Sequence, residues 1–184
     1  MRAGKLETPA TLFSLDVELQ PCQIDWIWCG IQSKENGDIP AQGGLRLPAK
    51  VAIRAWWDAR LITGRYLLTD DRRLFHLDSV RDFTGRREEV AITASELVGF
   101  CGEARRQGMA PRECRVFLRH DVPYRNSFEQ DVVLRTYAEV ALLEAGRVEA
   151  EDQLLVEGEL YNVMALAKDT DDGVVRGLWL ERVE

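Results

Sequence analysis

Two histidines, four cysteines and one dense acidic run are where catalytic or metal chemistry would have to reside in this 184-residue chain. His76 lies within an apolar stretch at 74–80 that reads as a strand. A general acid or base needs a positioned partner within hydrogen-bond reach. The residues around His76 offer none locally, so a structural histidine is expected. His120-Asp121 precedes Val122-Pro123 and reads as a turn at a strand end. Cys22 and Cys29 stand on opposite faces of a strand-like segment, roughly 23 Å apart at about 3.3 Å per residue, too far to share an ion. With Cys101 and Cys114 they are expected to be buried, reduced thiols, as in a protein made in a cytoplasm. Lys168-Asp169-Thr170-Asp171-Asp172-Gly173 imitates a calcium loop. Its frame fails six residues after the glycine, where Trp179 replaces the required Glu, so a solvated turn is expected. The sequence contains no nucleophile elbow, glycine-rich phosphate loop or paired-histidine zinc motif. The expectation is a non-enzyme with no cofactor and no metal.

The aromatic residues point toward binding instead. Trp56 and Trp57 are adjacent on a predicted strand, so one faces the core and the other faces out. An outward tryptophan is a common anchor for a protein partner. Trp26 and Trp28 are two apart, share a face, and are expected to fill the core of the first unit.

Composition narrows the function classes further. Hydrophobic residues at 46% and charged residues at 30% describe a chain that buries a core, not a disordered one. The formal charge of −7, from 31 acids and 24 bases, argues against a surface that coats nucleic acid. From residue 138 onward twelve acids face four bases, so the acidity is concentrated near the C-terminus. No apolar run approaches the roughly 20 residues of a membrane helix, and the opening residues carry no export signal.

The elements that would position these residues are mainly strands. Period-2 segments occur at 12–19, 24–31, 51–57, 66–69, 74–80 and 89–93, each bounded by polar or glycine-containing turns. In the first of them Phe13, Leu15, Val17 and Leu19 form the apolar side. At 95–107, Leu97, Val98, Phe100, Cys101 and Ala104 recur at three- and four-residue steps, which predicts a helix behind a Thr93–Glu96 capping box. Gly99 and Gly102 weaken it, each by about 1 kcal/mol relative to Ala. Strands resume at 114–118, 131–143, 153–156, 159–166 and 174–181. The predicted architecture is two tandem small antiparallel β-barrels or sandwiches joined by a short helix. Residues 1–94 form the first, with a long inserted loop at 33–47. Residues 95–110 form the linker helix, and 111–184 a shorter, acidic second barrel.

The two halves also resemble each other. Residues 65–77 and 152–163 both read as strand, tight charged turn, strand, with Phe75 and Tyr161 each following a leucine. A repeat of this length implies a duplicated domain. Measured from its first predicted strand the second copy is shorter, about 70 residues against about 85, and what it lacks is the loop 33–44. Residues 136–140 align equally with 25–29 or with 50–53.

Several segments resemble bacteriophage head–tail joining proteins, also called head-closure or stopper proteins. They are the opening Met1-Arg2-Ala3-Gly4-Lys5-Leu6, then Trp28-Cys29-Gly30-Ile31, Val51-Ala52-Ile53-Arg54, the hairpin at 61–77 and the turn and strand at 82–92. The likeness covers residues 1–94, with a weaker echo at 114–184; members of that family usually have one barrel, and here Glu7-Thr8-Pro9 replaces a basic stretch. The resemblance implies a structural ring in the virion neck, typically of six subunits, assembled in the host bacterial cytoplasm. It would lie beneath portal and adaptor proteins, meet a tail terminator or tail tube below, and let genome DNA pass without sequence-specific binding or membrane contact. The loop would project into the channel, with Lys34, Glu35, Asn36, Gly37, Asp38 and Gln42 as gate candidates, and Trp56 and Trp57 as interface candidates. Alternatives are another neck component (an adaptor or a tail-completion protein), a generic tandem β-barrel binding module, or an enzyme with a dispersed site.

Overall fold

A computed structural model describes residues 6–33, 42–125 and 132–183. Alternation builds the sheets: in β6 (Glu89–Leu97), Val90, Ile92 and Ala94 are buried while Ala91 and Thr93 face outward. The other strands of the first unit are β1 (Thr8–Leu15), β2 (Pro21–Ser33), β3 (Arg46–Trp56), β4 (Tyr66–Thr69) and β5 (Leu74–Arg81). They close into an antiparallel barrel in the order β1-β2-β3-β6-β5-β4. Its interior is filled by Leu12, Cys29, Ile53, Leu67, Phe75, Leu77 and their neighbours.

The second unit contains β7 (Phe100–Arg105), β8 (Arg112–Arg125), β9 (Val132–Ala141), the one-turn helix α1 (Leu142–Ala145), β10 (Gln153–Val156), β11 (Glu159–Ala167) and β12 (Val175–Arg182). A short 3-10 turn, Lys168–Thr170, follows β11. These strands also close, in the order β7-β8-β9-β12-β11-β10. That is the order of the first barrel, strand for strand. The chain divides into two compact units at Leu97 and Val98.

The repeat holds down to individual bonds. Leu67 pairs with Phe75, and Leu154 with Tyr161. The Leu77 amide donates to the Arg65 carbonyl at 2.8 Å, and the Val163 amide donates to that of Asp152 at 2.8 Å. The turns differ. Glu157 and Gly158 have φ of 51° and 84°, the two-residue turn whose twist suits a hairpin. The first unit instead uses a longer turn, in which the Thr69 hydroxyl accepts the Arg73 amide at 3.0 Å. Residues 136–140 correspond to β3 and not to β2, because Val140 faces Val116 as Ala55 faces Cys29.

Three expectations are corrected. The linker helix at 95–110 does not form: residues up to Leu97 finish β6, and Phe100–Arg105 are β7, the counterpart of β1. Its helical spacing is two offset strand patterns, with Leu97 buried in one and Gly102 and Ala104 in the other. A sixth strand is needed to close the second barrel, and pairing on both edges outweighs the local pattern. Second, the segment 12–19 ends as a strand at Leu15, and its inward residues are Ala10 and Leu12. Asp16 turns the chain there by accepting the amides of Glu18 and Gln20 at 2.9 and 2.8 Å, leaving Val17 exposed. Third, the second unit does not lack the β2–β3 connection. Its β8 and β9 run on as a paired arm as far as Arg125 opposite Val132. Counted from β7, its true first strand, the second copy is no longer short.

Candidate functional site

An exposed aromatic face on the first barrel is built by strand parity. Cys29 is fully buried and Ile27 packs against the core, so Trp26 and Trp28, the alternate residues of β2, must point outward. They are 46% and 44% exposed, and their rings meet edge to face at 4.8 Å. The expectation that they fill the core is corrected: a six-stranded barrel closes on a narrow interior, already occupied by aliphatic side chains and Phe75. Pairing of Cys29 with Ala55 brings Trp28 and Trp56 to the same end of β2 and β3. Trp56 is 62% exposed, whereas Trp57 turns in against the core with the Arg87 guanidinium 5.2 Å from its ring centroid. Leu6, Glu7, Trp28 and Trp56 line one shallow groove. Three half-exposed indoles on one barrel are the kind of apolar surface that marks a binding site.

The second barrel shows what this face is not elsewhere. By the equivalent rungs, Arg115 stands where the first barrel has Trp28, and Ala141 stands where it has Trp56. Arg115 is largely buried and forks onto Glu144 of α1, with Nε and Nη2 at 2.8 and 2.7 Å from its two oxygens. The corresponding face is thus covered by the chain's own α1. In the first unit the β3–β4 connection is held lower down, through Arg60 paired with both Asp25 and Asp58. Those pairs hold the two carboxyls below their ordinary values, for Asp25 behind its bond from the Trp26 amide. The tryptophans are left open.

No family model matches this chain, and no curated protein or solved structure matches it either.

Of the gate candidates, Lys34, Glu35, Asn36, Gly37 and Asp38 lie outside the described residues, and Gln42 is exposed.

Sequence reasoning missed a polar cluster around His76. Asp78 sits with Oδ1 3.0 Å from His76 Nδ1, so the expectation that no local partner exists is corrected. Lys50 Nζ donates to Asp78 Oδ2 at 2.8 Å and to Ser95 Oγ at 2.6 Å, and Ser95 donates to Asp78 Oδ2 at 2.7 Å. The available signal was the i, i+2 spacing, which places His76 and Asp78 on one face of a strand. Carboxylate, hydroxyl, amine and imidazole converge as in hydrolytic sites, but Ser95 is fully buried and its hydroxyl proton is committed to Asp78. A nucleophile needs an open approach for the reacting atom. The cluster instead ties β3, β5 and β6 together.

The thiols divide evenly. Burial pushes Cys29 up to about 11 and Cys114 up to about 12. Cys22 and Cys101 are exposed, against the expectation that all four are buried, because Cys22 lies in the wholly exposed start of β2 and Cys101 on the outward side of β7. His120 lies in β8, at a bulge between Arg119 and Val122, with Nδ1 3.3 Å from Thr136 Oγ1. Asp171 and Asp172 are engaged internally, by Arg176 at 2.8 Å and by the amides of Val174 and Val175, both at 2.9 Å. Among the described residues no group of three or more His, Cys, Asp or Glu side chains is placed to hold a metal ion.

Proposed function

We propose that this chain is a structural subunit of a bacteriophage neck: a head–tail joining protein whose ring closes the DNA-filled head and offers a surface to the tail. The observation that carries this reading is the aromatic face of Trp26, Trp28 and Trp56 on a closed barrel whose interior is filled by its own core. Such a module acts by docking. The segments that resemble the family supply that face and its frame: 28–31 in β2, 51–54 in β3 and the β4–β5 hairpin within 61–77.

Charge is compatible with a conduit for DNA. The first unit has 13 bases and 14 acids, the second 11 bases and 17 acids. A wall of excess acid repels phosphate, while basic contacts would grip it. Screening confines that repulsion to about 8 Å at physiological salt, so only residues lining the lumen contribute. In this reading the 33–44 segment, including Lys34, Glu35, Asp38 and Gln42, faces the channel, and portal or adaptor proteins bind above with tail proteins below.

Negative-stain imaging of the protein, alone and mixed with DNA-filled heads bearing portal and adaptor, tests the proposal. A ring with a central hole at the portal vertex and retention of packaged DNA are expected, with a mass of six subunits. Trp56→Ser is expected to block attachment without changing the unfolding midpoint. Absence of a ring in both settings, or tight DNA binding that falls steeply with salt, overturns it.

A further inference from the structure

We propose that the outward face of β8, β9 and β12 in the second barrel binds a carboxylate side chain, Asp or Glu, presented by a partner protein. Strand pairing assembles the site. Tyr137 stands opposite Arg119 in β8 and opposite Trp179 in β12, and Arg135 is two residues away on the same side of β9. The intervening residues Ala138, Leu178 and Leu180 fill the core, so these side chains point outward. The bulge between Arg119 and Val122 brings Tyr124 to that face, opposite Val133. The rings meet edge to face, Tyr124 on Trp179 at 5.0 Å and Tyr137 on Trp179 at 5.3 Å. The Arg135 guanidinium lies 4.9 Å from the Tyr124 centroid.

The cluster has cations and no anion. The second unit carries 17 acids against 11 bases, and six of its arginines are ion-paired within the chain, from Arg105 with Glu103 to Arg182 with Glu159. Among the described residues Arg119 and Arg135 have no carboxylate partner. The Arg135 Nε is buried without an acceptor, so its Nη groups are the ends that a ligand reaches. A guanidinium held on a ring keeps its planar fork oriented, and a carboxylate accepts that fork with two oxygens. Arg119, exposed and opposite Tyr137, sets a second cation on the same face. Glu181 follows the last rung that β12 shares with β9, Leu180 with Thr136; it is exposed and is not ion-paired to Arg135. Nucleic acid is the poorer occupant. Single strands stack on open ring faces along a basic groove. Here the rings cross at 64° and 62°, Arg135 covers Tyr124, and the surrounding unit is acidic. The site is on the other barrel from the tryptophan face, and binding in solution reports it whether or not a ring forms.

The test titrates the full chain with N-acetyl-glutamate α-methylamide at constant ionic strength and follows the Trp179 indole and Arg135 Nε N–H signals by NMR. Both are expected to shift and saturate in the millimolar range, while the Trp28 and Trp56 indoles stay fixed. N-acetyl-glutamine α-methylamide, which keeps the shape and loses the charge, is expected to bind about threefold more weakly or worse. Arg135→Gln and, separately, Arg119→Gln, each checked for an unchanged unfolding midpoint, are expected to weaken glutamate binding by a similar factor. Glu181→Gln, which removes a competing carboxylate from β12, is expected to tighten it about twofold. Equal shifts with the glutamine analogue overturn the inference. Tighter binding of an oligothymidylate of about eight nucleotides at the same signals overturns it in favour of a single-stranded nucleic acid. No movement of either signal at concentrations that saturate a millimolar site overturns it outright.

Discussion

Asp78 and Met164 occupy the same position in the two barrels. Each is the extra residue of a bulge, between Leu77 and Ser79 in β5 and between Val163 and Ala165 in β11. A bulge re-aims one side chain and sharpens the local twist. The duplicated fold has kept the geometry and changed its use: Asp78 gathers Lys50, Ser95 and His76, while Met164 is partly exposed.

Asp78→Ala is expected to destabilise the protein by about 2 kcal/mol, because the buried Ser95 hydroxyl and the Lys50 ammonium lose their acceptor. Met164→Ala is expected to stay within about 0.5 kcal/mol. Urea unfolding followed by tryptophan fluorescence distinguishes them.

The same cluster has a pH signature. Burial alone would raise the Asp78 carboxyl, but hydrogen bonds from Lys50, Ser95 and His76, with the charge of Lys50, outweigh it and hold it below 3.8. A carboxyl lowered on folding contributes stability that is complete above its unfolded value and lost as pH falls through the folded one. Asp78→Asn carries no such increment. The stability gap between wild type and Asp78→Asn is therefore expected to be constant near neutrality and to narrow below about pH 4; a gap that widens there contradicts the assignment.

Arg115 and Glu144 are expected to be strongly coupled. Removing either partner leaves a largely buried charge, at 13% and 18% side-chain exposure, and should cost about 2–3 kcal/mol. A double-mutant cycle with Arg115→Met and Glu144→Leu should recover part of that loss, with an interaction energy of about 1–2 kcal/mol. Additive losses would mean that α1 is held by packing alone.

Gly177→Ala should fold poorly. Its Cβ would overlap Thr170 Oγ1 and stand 2.9 Å from Tyr137 Oη, so these side chains must move, at about 1–3 kcal/mol. Gly43→Ala meets nothing within 4 Å and is expected to stay within about 0.5 kcal/mol. Thermal unfolding of the two variants provides the comparison.

Thiol labelling at pH 8 should show two classes. Cys22 and Cys101 are exposed and react quickly, while Cys29 and Cys114, pushed up to about 11 and about 12 by burial, react only on unfolding. Loss of the fast class in a Cys22→Ser, Cys101→Ser double variant confirms the assignment, and four equally reactive thiols refute it.

The β class and the hairpin repeat were legible in the linear chain because both depend on near neighbours. Alternation at 90–94 and the Glu157-Gly158 turn each act over a few residues, and both appear where spacing places them. So did the opposite facings of Trp56 and Trp57. The inward side of a strand was harder. Leu12 and Phe13 are both large and apolar, and only the partners across β2 and β4 decide that Leu12 goes in.

Closure was beyond the reach of spacing altogether. Residues 97–104 satisfy a helical period and two strand periods equally well, and the strand wins because β8 and β10 leave a gap that only a strand can fill with backbone hydrogen bonds on both edges. The Asp78 cluster needs β3, β5 and β6 side by side before Lys50, His76 and Ser95 become neighbours. The tryptophan face has the same origin. Indole size predicts burial, but the cross-section of a six-stranded barrel has no room for Trp26 and Trp28, so the third dimension turned a presumed core into a surface.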